Sequence, residues 1–275
     1  PVDMLIPTGT GLYNKYMPGG TNVLDPTSVY GDELYAYWRG VDVGNRVTKD
    51  ETKATHFALS LTGQVAGWDY TSAATFSTNK WVESHLGGWL LQNEQDAAIA
   101  AGTFDPFLEP GQQSAAGMAA LAGMQNRGVY KSERSNLAAI ELRGSREVFK
   151  VGSGNAQLGL GVDFRRENVK YDPSDVAKGL TNNIAGDSAQ EKAFDVSRKV
   201  YGFFGELLVP LSKELEVTAS ARHDHYSDFG NTDNGKLAVR YQPSKSLLLR
   251  GSLGTGYRAP SVPQVAAGSQ LYGVT

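Results

Sequence analysis

Apolar and polar residues alternate with a period of two along much of this chain. In NAQLGLGVDFRR (155–166), Ala156, Leu158, Leu160, Val162 and Phe164 form one face, opposite Gln157, Gly159, Gly161, Asp163 and Arg165. Successive side chains of a strand point to opposite sides, so the run predicts a strand with one greasy and one wet face. Its length suits the ~9–11 residues of a tilted membrane strand. The same code recurs at 55–65, where Phe57, Leu59, Leu61 and Val65 oppose His56, Ser60, Thr62 and Gln64. It returns at 68–77, 136–144, 200–211, 215–226 and 235–241. The last run, SLLLRGSLGTGYRAPSVPQ (246–264), sets Leu247, Leu249, Leu253 and Tyr257 against Arg250, Ser252, Gly254, Gly256 and Arg258.

Two architectures use this code. A soluble sandwich buries its apolar face under a second sheet, whereas a membrane barrel turns that face to lipid and its polar face to the lumen. The connections favour the barrel. Tight turns at 65–68, 151–155, 210–215 and 242–246 alternate with long excursions at 80–133 and 172–193 and a shorter one at 228–234. Short turns on one side and long loops on the other are a habit of outer-membrane barrels. Trp68, Tyr70, Tyr201 and Tyr241, near the turns, suit an interfacial girdle. The predicted fold is all-β: an antiparallel transmembrane β-barrel, partial in this chain, with long extracellular loops.

The predicted organisation has three parts. Residues 1–54 form an extracellular loop region containing a strand-like hairpin at 32–45, with 46–54 as loop. Residues 55–264 carry the barrel strands and the loops at 80–133 and 172–193. Residues 265–275 begin a further extracellular loop. Two alanine-rich pieces of the 80–133 excursion, 93–102 and 112–126, are suited to short helices. A loop this long signals a functional element.

Composition changes the picture little. Lysine plus arginine (26) nearly balances aspartate plus glutamate (29), for a net charge of -3, so there is no basic excess for nucleic acid. Cysteine is absent, which removes disulfides and thiolate chemistry. No run reaches the ~18 apolar residues of a membrane helix. A mean hydropathy of -0.33 is uninformative for barrels, whose strands dilute their apolar face with a polar one. A start at Pro1 without a charged-then-apolar leader, and an end in the loop-like GSQLYGVT, point to an internal piece of a longer protein.

The segment KVYGFFGELLVPLSKELEVTASARHDHYSDFGNTDNGKLAVRYQPSKSLLLRGSLGTGYRAPSVPQ (199–264) resembles the barrel of TonB-dependent outer-membrane receptors. VDVGNR, LTGQVAGWDYTSAATFSTN and GTFDPF resemble one branch of that family more loosely, and together the matches cover most of 33–264. The resemblance implies a barrel of about 22 strands, of which about eight or nine are visible here. It also implies an N-terminal plug domain and a TonB-binding region outside this chain, and residence in the bacterial outer membrane in contact with its lipid. The implied function is import of a scarce small molecule such as a metal chelate, with an iron–siderophore complex as the default. A passive porin-like channel and a soluble β-rich carbohydrate-binding module are the alternatives.

Candidate residues follow from the two faces. Glu141, Arg143, Asp163, Arg165, Glu206, Arg222, Asp224, Lys236, Arg240, Arg250 and Arg258 would face the lumen, pairing with one another and holding a plug, or guiding the ligand. The aromatics Tyr13, Tyr16, Tyr30, Tyr35, Tyr37, Trp38, Trp81, Trp89, Phe104 and Phe107 crowd the long-loop segments, where they either line a ligand-binding mouth or pack the loops together. His223 and His225 form a possible metal pair without a third ligand, and DHYSDFGNTDNG (224–235) lacks the order of a calcium loop. His56, His85, His223 and His225 have no triad-like surroundings. No enzyme, cofactor or metal site is expected.

Overall fold

In a computed structural model, residues 2–27, 33–187 and 190–266 are described; Tyr30 and nearly all of 265–275 lie outside them. Eight strands form one antiparallel sheet in sequence order: β3 (Val47–Val65), β4 (Trp68–Gly87), β5 (Gly128–Val151), β6 (Gly154–Pro173), β7 (Phe194–Pro210), β8 (Leu215–Tyr226), β9 (Gly230–Ser244) and β10 (Leu247–Gly254). The sheet is open, with β3 and β10 at its edges. The short connections 66–67, 152–153, 211–214 and 245–246 fall at one end, and 88–127, 174–193 and 227–229 at the other. The tightest turn shows how sequence sets register. Val65 pairs with Trp68, and Ala66 and Gly67 both take positive φ (49° and 76°), as a two-residue hairpin turn matched to strand twist requires.

The faces divide as the alternation predicts. Across the sheet, Leu61, Ser72, Leu142, Val162 and Phe203 share one row, and Leu59, Ala74, Ile140, Phe164 and Tyr201 share the next. This apolar face is uncovered: Val162 is 47% exposed and Leu253 83%. A soluble sandwich would have buried it, and an open apolar band this broad needs a nonaqueous partner. The opposite face carries the charges and is roofed at the long-loop end.

The roof is built by three loops. β1 (Val2–Ile6) and β2 (Leu34–Trp38) form a separate two-stranded sheet. With α1 (Gly11–Tyr16), α2 (Gln92–Ala100) and α3 (Ala115–Gly123) they enclose one core containing Ile6, Leu12, Trp38, Ile99, Phe104 and Leu121. Ala185, from the 174–193 connection, completes it. The helices start where capping allows: Thr10 accepts from the Tyr13 N–H and Ser114 from the Gly117 N–H, satisfying otherwise orphaned donors.

Four expectations need correction. Residues 46–54 are not a loop, because β3 already begins at Val47. Residues 32–45 do not form their own hairpin, since 34–38 pairs with 2–6. The 80–133 excursion shrinks to 88–127 because β4 and β5 continue beyond the apolar band. The last strand stops at Gly254 rather than running through Arg258. The chain then crosses to the charged face, where α4 (Val262–Ala266) packs on β6 and β7 and buries Val262. Tyr257 follows it, its ring 5.8 Å from Phe229 and 6.3 Å from Tyr226. Pro260 and Pro263, which interrupt backbone donation, suit this departure from the sheet.

Candidate functional site

The charged face holds its residues by mutual pairing. Arg222 donates from Nε to Asp224 Oδ2 (2.8 Å) and from Nη2 to Asp163 Oδ2 (2.8 Å) and Asp224 Oδ1 (2.6 Å). The planar guanidinium suits a carboxylate on each side. Gly202, opposite both Asp163 and Asp224 in register, makes room for this triad: a Cβ there would overlap Asp163 Oδ2 and Arg222 Nη2. Gly202→Val is therefore expected to cost about 1–3 kcal/mol by overpacking. Urea unfolding of the full-length receptor in liposomes checks this, with Gly205→Ala, where a Cβ has ordinary contacts, as the near-neutral control.

Among the described residues three other predicted lumen arginines are paired as well, and the rest are not. Arg240 donates to Glu216 (3.0 Å), Arg143 to Glu141 (2.9 Å), and Arg165 Nε lies 3.1 Å from Glu167. Arg250 sits opposite Arg240. Glu206 and Lys236 both flank Ser220 in register. Arg258 belongs to the irregular stretch after β10 and joins no strand face. His223 and His225 lie on the apolar-parity face, each bonded across to β9, through Asp233 and Asn231.

Alternation alone missed Arg198. It is only 3% exposed, clamped by Asp228 through Nε and Nη2 (2.9 and 2.6 Å), and donates to the Pro260 carbonyl (2.8 Å). Its guanidinium also faces the rings of Tyr226 and Phe229. It pins the segment after β10 to the wall. Beside that segment, a cavity of about 520 Å³ opens between α4 and the upper sheet, lined among others by His56, Ser77, Asn79, Ser135, Leu137 and Val262. The available signal was parity: Arg198 lies two residues before Val200 on the same face.

Where roof meets wall, His85 is sandwiched between Trp89 (4.3 Å, 8°) and Tyr130 (4.0 Å, 22°), with Arg46 over the outer face of Trp89. His85 lies nine residues beyond Phe76, about 30 Å further along the strand and clear of the apolar band. Burial, with Lys131 and Arg46 nearby, lowers its pKa to about 4, because an imidazolium there would be desolvated and repelled. The unfolded side chain titrates near 6.5. Between those values the unfolded form binds more protons, so the stability gained from neutral His85 is full above about pH 6.5 and is lost as pH falls toward 4. The loss is on the order of 3 kcal/mol. Fluorescence of Trp89 should report roof opening across that window, and His85→Phe, which stacks but does not titrate, should flatten the profile.

The aromatic residues divide between packing and surface. Trp38 and Phe104 stack edge-on at 4.9 Å inside the roof core, where Phe104 is 0% exposed, and both pack that core. Tyr13 is buried in the same core, and Tyr16 and Phe107 close its rim at 4.7 Å. Tyr16 and Lys15 both donate to Asp105. Trp89 belongs to the His85 stack, and Trp81 donates to Asp50 on the charged face (3.0 Å). Tyr35 and Tyr37 alternate with the buried Leu34, Ala36 and Trp38 of β2 and so point outward, Tyr37 at 71% exposure.

An eight-stranded meander with an uncovered apolar face, paired charges on the other and a roof of loops at one end defines the architecture. A sequence model described as "TonB dependent receptor-like, beta-barrel" matches residues 5–274. The chain belongs to this family of bacterial outer-membrane receptors and transporters. It is 31% identical over 104 residues to a vitamin B12 transporter BtuB of Vibrio vulnificus (strain CMCP6), covering 38% of this chain and 15% of that protein. A solved mutant of the ferric enterobactin receptor PfeA of Pseudomonas aeruginosa is similar at 18% identity and a TM-score of 0.47, over 78% of this chain and 26% of that one. The chain thus spans about a quarter or less of these relatives.

Proposed function

We propose that the intact receptor captures a scarce small molecule at its long-loop, extracellular end and imports it with the help of TonB and a plug domain held against the charged face. Ferric siderophore is the proposed cargo. The observation that carries this reading is the roof: a well-packed core holds Tyr35 and Tyr37 outward on a short, anchored strand. Rigid aromatic surface binds flat or amphipathic ligands at low entropic cost. The paired lumen charges support a removable plug, since mutually neutralised groups can be wetted and re-covered without stranding a charge.

A strain that depends on the full-length receptor, grown on a panel of ferric chelates and on a corrin, tests this. Growth on at least one ferric chelate, abolished by deleting TonB, is the expected result. Tyr37→Ala should raise the half-saturating concentration about fivefold, as for loss of a contact worth about 1 kcal/mol, while the receptor's amount in the membrane stays constant. Growth on the corrin alone would replace the cargo, and uptake without TonB would replace the mechanism.

A further inference from the structure

One cation breaks the apolar face near its short-turn end. Arg146 of β5 stands opposite Leu158, which is followed across the sheet by Leu207, Ala219 and Leu237. On its other side the guanidinium lies over the Trp68 ring at 5.6 Å, and Trp68 pairs with Val65 to close the turn at 66–67. Arg146 is exposed and donates from Nε to the Glu147 carbonyl of its own strand (3.2 Å). Among the described residues no carboxylate pairs with it. A charge left alone in a lipid-facing row costs stability unless the lipid supplies the counter-charge.

Directly above Arg146, toward the middle of the apolar face, lies a groove of about 510 Å³. Val65, Trp68 and Tyr70 line one side of it, and Leu160, Val162 and Phe203 the other. Its floor is Gly144, two residues before Arg146 on β5. Small and large side chains alternate along this row, through Gly63, Tyr70, Gly144, Leu160 and Gly205. Trp68 leans over the floor, so that a Cβ on Gly144 would lie 3.2 Å from its Cε3. The groove is centred on β5, two strands in from the β3 edge, and is therefore complete within this chain.

Hydrocarbon fits such a channel, and a phosphate fits its watery end, where an arginine can extend along the surface to reach a head group. We infer that the groove holds one acyl chain of a phospholipid, whose phosphate accepts from Arg146. The outer-membrane placement of the family puts lipid against this face. The site lies at the end away from the loop roof, in the periplasmic leaflet under the orientation proposed above. It rests on that placement and is independent of the imported cargo.

Native mass spectrometry of the full-length receptor in dodecyl maltoside, mixed with dioleoyl phosphatidylglycerol, tests the inference. The wild type should retain one phosphatidylglycerol after excess lipid is removed. Gly144→Leu fills the floor and should abolish that retention. Arg146→Gln leaves the groove open and should lower retention about fivefold, the equivalent of about 1 kcal/mol for one basic residue at a membrane surface. If Gly144→Leu fails to assemble, Arg146→Gln still decides the matter. Retention unchanged in either assembled variant overturns the site. So does equal retention of dioleoylglycerol, which lacks the phosphate, or displacement of the lipid by an equal concentration of inorganic phosphate, which would assign Arg146 to a free anion.

Discussion

Val162→Arg should cost about 2–4 kcal/mol of barrel stability in a bilayer, the largest penalty expected from any single surface change in this chain. Val162 shares its row with Leu142 and Phe203 and is half exposed in the isolated sheet. In water, arginine at such a position would shift stability by no more than about 0.5 kcal/mol. The size of the effect therefore separates lipid from water as the neighbour of this face. The control is Ser220→Arg, on the charged face between Glu206 on one side and Lys236 on the other, where a wetted surface should tolerate it. Urea titration in liposomes, together with heat-modifiable electrophoretic mobility for assembly, gives both values. Equal, small effects of the two substitutions would remove the membrane assignment of the apolar face.

Phe104→Ala should cost about 3–5 kcal/mol, confined to the roof. The ring contacts Trp38 at the centre of a core drawn from the first 38 residues, the 88–127 connection and Ala185. Cavity formation there loosens the first 38 residues and the 88–127 connection at once, whereas the 174–193 connection keeps its own apolar contacts with Trp89, Leu91 and Tyr130. Proteolysis of assembled receptor should accelerate within 1–45 and 88–127, while the eight strands stay protected. Uptake should fall with it, since Tyr35 and Tyr37 lose the anchoring of β2. Unchanged proteolysis would mean the three loops do not share a core in the working receptor.

The contrast between these residues shows how far alternation reads. The face assignments of Val162, Leu142 and Asp163 were visible from spacing alone, because a strand must reverse its side chains at every residue whatever its surroundings. The extension of β3 to Val47 was not visible: Lys49, Glu51 and Lys53 face one side, Asp50 and Thr52 the other, and two polar faces have no contrast to detect. At the upper ends of β4 and β5 the contrast is lost differently, since Trp81 and Val82, like Val129 and Tyr130, put apolar residues at adjacent positions. Past Gly254 alternation misleads, since Tyr257 and Arg258 continue the rhythm while Arg198, some sixty residues earlier, holds the backbone at Pro260 against the wall.

Local pattern, then, was enough to establish strand type, facing and the alternation of short and long connections, because these depend on backbone geometry and neighbours within a few residues. The tertiary structure alone decided that Trp38 and Phe104 are core while Tyr37 is surface, that His85 is stacked between Trp89 and Tyr130, and that Arg198 pins the segment after β10. Each of those outcomes is a juxtaposition of residues far apart in sequence, and burial and electrostatics act through distance in space.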